Sequence, residues 1–130
     1  MTEAKDTGPV TLYLDVLDRL KLLDLLPKNG TYVTLVESKA AQKAVNLSLD
    51  EIKEFECVPF GEGGMRWNEK GQEHRPITLT SFMHTTMVDI LKARSEKKEL
   101  AIQELSIYDQ IVNGNYPKDT IKEEKTNEAH

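Results

Sequence analysis

Between Val10 and Glu56 the chain lays down three helical patterns separated by two turn signals, and directly afterwards its period shortens to that of strands grouped around glycines. That order restricts the fold to a small helical core carrying a β element, an α+β arrangement. At 130 residues, with 38% hydrophobic and 30% charged side chains, the chain suits a single domain with one core.

The first pattern predicts a helix from about Leu12 to Leu26. Tyr13, Val16, Leu17, Leu20, Leu23 and Leu26 recur at three- and four-residue spacing, and Leu12, Leu14, Leu22 and Leu25 widen the stripe. A face this broad also allows a symmetric homodimer. Pro27 and Lys28-Asn29-Gly30 end it. Thr31-Tyr32-Val33 has the β-branched and aromatic content of a brief strand.

Thr34 and Glu37 then fit a capping box for a helix from Leu35 to Val45, with Val36, Ala40 and Ala44 as its packing face. Ser48 and Glu51 fit a second capping box, with Leu47 and Ile52 placed as a hydrophobic staple. The short helix Leu49 to Phe55 should turn Leu49, Ile52 and Phe55 inward.

Glu56 to Phe60 and Met65 to Asn68 read as strands around Gly61-Glu62-Gly63-Gly64, and Ile77 to Leu79 as a third strand. The simplest arrangement is a three-stranded antiparallel meander. A helix from Ser81 to Arg94, with Met83, Met87, Ile90 and Leu91 inward, and another from Ala101 to Asn113, ending before Gly114 and Pro117, complete the domain. The expected architecture is thus a core of about five helices with a small meander, winged-helix-like and extended by C-terminal helices. Residues 1–10 are expected to be a flexible arm, 11–116 one globular domain, and 117–130 a disordered tail.

Four segments carry the likeness to a known group: the run Arg19 to Gly30, the run Glu51 to Glu56, Met65-Arg66-Trp67-Asn68, and Leu105-Ser106-Ile107-Tyr108. On their hydrophobic skeleton the chain resembles small uncharacterised proteins encoded by tailed bacteriophages and prophages, over residues 12–113. The resemblance implies a viral context, hence the cytoplasm of a bacterial host or a virion, and no catalytic activity.

Chemistry narrows the function by exclusion. One cysteine, Cys57, rules out an internal disulfide and a multi-cysteine zinc site; within an apolar strand it reads as a small core residue. Met1 to Gly8 lacks the apolar region of a signal peptide, and no run approaches the roughly 20 apolar residues that span a bilayer, so no membrane partner is expected. His74 and His84, with Glu73 and Asp89 nearby, match no metal-ligand spacing. Gly61-x-Gly63-Gly64 lacks the Lys-Ser/Thr ending of a phosphate loop. No cofactor, metal or catalytic residue is expected, and the chain reads as a non-enzyme.

In a winged helix, Leu49 to Phe55 would occupy the recognition position and Gly61 to Gly64 the wing tip. Asp50, Glu51 and Glu54 disfavour nucleic acid there, because carboxylates facing phosphates cost affinity. The chain's net charge of −5 points the same way. Protein contact is therefore the leading expectation and DNA binding by a winged-helix regulator the alternative. The candidate contact residues are the acidic Asp50, Glu51 and Glu54, expected exposed, and Arg66, Trp67, Lys70 and Arg75 of the basic hairpin region.

Overall fold

The computed structural model describes residues 8–117. The predicted tail from Lys118 onward, and all of the predicted arm before Gly8, lie outside those residues. The class is α+β as expected, but the elements depart from the expected list in ways that have physical causes.

The first departure is at the start. Val10–Leu14 is a strand, β1, and the helix α1 begins only at Val16 and runs to Leu25. Leu12 and Leu14 are fully buried while Thr11 and Tyr13 are half-buried, which is the period of a strand. Asp15 ends the strand and caps the helix: its backbone is extended, its side chain accepts from the Asp18 amide at 2.8 Å, and Asp18 reaches back to the Asp15 amide.

The second departure follows Gly30. Thr31 is a helix cap, accepting from the Thr34 amide at 3.2 Å, and α2 runs Tyr32–Val45. The expected strand at Thr31 to Val33 is absent because a cap three residues earlier draws Tyr32 and Val33 into an exposed first helical turn. Thr34 therefore caps nothing, and Glu37 instead accepts from the Thr80 hydroxyl at 2.8 Å. The buried face of α2 is Ser38, Ala41 and Val45, one or two positions on from the expected Val36, Ala40 and Ala44, which stay exposed.

The second capping box is present. Ser48 accepts from the Glu51 amide at 3.1 Å, Glu51 Oε1 accepts from the Ser48 amide at 3.0 Å, and α3 runs Leu49–Glu54. Phe55 is buried beneath it, but Leu49, expected inside, is 79% exposed. Glu56 takes a left-handed conformation (φ 54°), turning the chain away from α3.

Strands β2 (Val58–Phe60) and β3 (Gly64–Arg66) form the expected hairpin, with Gly61 and Gly63 at positive φ in its turn. The three-stranded meander, however, does not form. Strand β4 (Arg75–Leu79) pairs antiparallel with β1, Val10 opposite Leu79 and Leu14 opposite Arg75, giving two separate two-stranded sheets. Ile77 and Leu79 need a buried face, and the hairpin has none to share because all its residues are exposed. Leu12 and Leu14 supply that face instead.

Helix α4 (Ser81–Glu96), capped by Thr80, lays Met83, Met87 and Leu91 into the core. The expected helix from Ala101 is shorter: a 3₁₀ turn at Ile102–Glu104 leads into α5 (Leu105–Ile111), which buries Ile107, Gln110 and Ile111. The core lies where the β1–β4 sheet meets α1, α2, α4 and α5. Gln110 is buried because its amide answers both backbone groups of Tyr13, accepting from N–H and donating to C=O at 2.8 Å each.

Candidate functional site

Two regions carry chemistry that the core does not use: the end of the molecule formed by α3 and the hairpin, and a polar cluster at the start of α1.

Beneath α3 lies Arg19. It is buried, and its guanidinium donates to the Val45 and Asn46 carbonyls at 2.8 and 2.7 Å and to both oxygens of Glu51 at 2.9 Å. The planar fork matches a carboxylate and the C-terminal carbonyls of α2 at once. Glu51 thereby locks the α2–α3 turn from within. The hydrogen bonds from Arg19 and from the Ser48 amide overcome partial burial and hold the Glu51 carboxyl at a pKa of about 2.

The lattice continues to Arg75. Its guanidinium makes two bonds to Glu54, at 3.0 and 2.7 Å, one to Glu73 at 2.9 Å, and stands 4.6 Å from the centre of the Phe55 ring. These bonds lower the Glu54 pKa and raise that of Arg75. Asn68 closes the arrangement by donating from its side chain to the Glu54 carbonyl at 3.0 Å and from its amide to the Phe55 carbonyl at 2.8 Å.

These contacts redistribute the seven expected contact residues. Glu51 is not a free surface carboxylate, and Glu54 and Arg75 neutralise each other. Asp50 remains exposed on α3 beside Leu49. Lys70 is exposed in the 3₁₀ turn Glu69–Gln72. Arg66 lies 5.1 Å from the Phe60 ring centre on the hairpin, and Trp67 is half-buried against Gly71. The hairpin's apolar side chains are the outward feature that charge reasoning passed over: Val58 is 43%, Phe60 58% and Met65 39% exposed. Cys57, read as a core residue, is half-buried, and burial raises its thiol pKa.

The second region brings together residues far apart in the chain. Asp15 and Asp18 share the N-terminus of α1, and His74, just before β4, places Nε2 at 3.9 Å from Asp15 Oδ2. The Ser106 hydroxyl of α5 donates to Asp18 Oδ2 at 3.3 Å. Burial, reinforced by the charge of Asp15, raises the Asp18 pKa to about 7. The spacing Asp15-x-x-Asp18 before an apolar run was the available signal, as a capping pattern, but its pairing with His74 is tertiary. His84, the other histidine considered, lies elsewhere: its Nε2 donates to the Ile111 carbonyl at 3.1 Å.

Among the described residues no helix is long and apolar enough to cross a membrane. Compared with known proteins, the chain matches no family model, no curated protein and no solved structure.

Proposed function

We propose that the chain is a non-catalytic protein-binding module whose contact surface is hairpin β2–β3 together with the outward side of α3. The observation that carries this is the exposure of Val58, Phe60 and Met65 on one short ribbon, beside the exposed Leu49. Scattered apolar residues are ordinary, but a ribbon of three residues per strand with an aromatic, a methionine and an arginine has the composition of an interface centre. Its base is held rigid by the Arg19–Glu51 and Arg75–Glu54 pairs. The order of α2, turn, α3 and hairpin supports reading the domain as a winged-helix relative extended by α4 and α5. Following the resemblance to phage-encoded proteins, the partner is a host protein or a phage assembly component.

The test is capture from bacterial lysate after nuclease treatment, comparing the wild-type chain with a Phe60→Ser/Met65→Ser variant. A protein retained by the wild type and lost by the variant, with circular dichroism unchanged, supports the reading. Equal retention by both overturns it.

One observation favours the alternative, a DNA-binding regulator. Two of the three carboxylates counted against it, Glu51 and Glu54, are already paired with arginines. Against it, residues 49–75 hold seven Asp/Glu and four Lys/Arg, a net −3, where phosphate contact calls for a basic face. Duplex binding that weakens steeply with salt would promote this reading over protein contact.

A further inference from the structure

Three points of the fold deliver metal-ligating side chains to one place at the end of the β1–β4 sheet. Asp15 follows β1, Asp18 lies in the first turn of α1, and His74 immediately precedes β4, whose Arg75 is the register partner of Leu14. One donor atom from each of the three lies within 4.8 Å of the other two.

The hydrogen bonds within the group leave coordinating capacity on both carboxylates. Asp15 Oδ1 accepts from the Asp18 amide, and Oδ2 faces His74. Asp18 Oδ2 accepts from the Asp15 amide at 3.4 Å and from Ser106 at 3.3 Å. The Asp18 and Asp15 side chains also lie within hydrogen-bond reach of each other, and Asp18 is only 4% exposed. The repulsion between two carboxylates so placed is relieved only by a shared proton or by a cation. No arginine or lysine among the described residues offsets it: Arg19, the next residue, turns away to Glu51 and the end of α2.

We propose that Asp15, Asp18 and His74 bind one divalent transition-metal ion, zinc foremost, with water completing its coordination. Two carboxylates supply charge, and an imidazole nitrogen favours zinc-like ions over calcium and magnesium, which prefer all-oxygen sets. Donors on an ion with bonds of about 2.0–2.2 Å stand about 3–3.5 Å apart, so the group must contract on binding. The His74 and Asp15 side chains, 25% and 23% exposed, form the open side, which admits the ion and leaves His74 room to move. Bound there, the ion ties the start of α1 to the start of β4 and, through Ser106, to α5. Sequence spacing concealed the set because its members meet only through β1–β4 pairing.

Calorimetric titration of zinc into the full chain at about pH 7.5 tests the site. The expected result is saturable binding of one ion per chain, a raised thermal midpoint, and no comparable response to calcium. Asp18→Asn and His74→Gln should each weaken zinc about tenfold or more. His84→Gln and His130→Gln, which remove the other two of the three histidines, should leave it unchanged. Asparagine keeps an acceptor for Ser106 and His74 is half-exposed, so unchanged circular dichroism will separate lost binding from lost folding. The proposal is overturned by the absence of saturable binding below about 1 mM zinc, by wild-type affinity in both Asp18→Asn and His74→Gln, or by loss confined to the His84 or His130 variants.

Discussion

Arg19 and Glu51 form a two-pronged ion pair between α1 and α3, each guanidinium–carboxylate contact at 2.9 Å, and the same guanidinium closes the C-terminal carbonyls of α2. Three helices are thus joined through one buried cation. An acidic residue that reads as recognition surface is in fact the inner wall of the turn.

Removing one partner leaves the other stranded. Arg19→Ala should destabilise the protein by about 3–5 kcal/mol in urea unfolding, because Glu51 and two carbonyls lose their donor. Glu51→Lys should be at least as damaging, placing like charges together. Asp50→Lys, one residue away and exposed, should stay within about 0.5 kcal/mol. Equal effects of the two reversals would contradict the buried pair.

Acid should undo this lock. Glu51 has a folded pKa of about 2 against an ordinary 4.5, so its contribution is complete above about pH 4.5 and fades as pH falls toward 2. The shift corresponds to roughly 3 kcal/mol. Glu51→Gln should be less stable at neutral pH and show a flatter loss of stability between those pH values, as read from urea midpoints.

Asp18 should act in the opposite direction in metal-free protein. Its folded pKa is raised from 3.8 to about 7, so the folded state holds a proton that the unfolded chain has released. Stability should fall as pH rises through this window. Asp18→Asn should remove that slope and be the more stable protein above pH 7, measured with a chelator present.

Gly71 is buried against Trp67, and a Cβ at this position would overlap the indole Cδ1. Gly71→Ala should therefore cost about 1–3 kcal/mol by overpacking. Trp67 is the chain's one tryptophan, so its emission should shift in the variant. An unchanged spectrum with unchanged stability would show that the ring has room to move.

What the sequence made legible were features written in neighbouring residues. The Ser48–Glu51 box, the glycine turn of the hairpin, the methionine face of α4 and the helix-ending Gly114 (φ 72°) each follow from local chemistry and each are present. The misread elements are those where local preference was ambiguous. Leu12 and Leu14 satisfy both a helical stripe and a strand alternation, and only pairing with Ile77 and Leu79 decides between them. Tyr32 and Val33 favour a strand by propensity, yet the cap at Thr31 overrides it. Of the candidate site, the exposure of Asp50, Arg66 and Lys70 was readable, whereas the engagement of Glu51, Glu54 and Arg75 depended on contacts across distant segments.

The pairing of β1 with β4 also sets the order in which the chain can assemble. Val10 meets Leu79 across nearly seventy intervening positions, and neither strand has another strand to pair with among the described residues. The helical turns and the hairpin form from near neighbours, but the sheet must wait until that long loop has closed. Refolding should consequently be limited by a late docking of the N-terminal strand, with helical signal recovering ahead of the burial of Leu12 and Leu14.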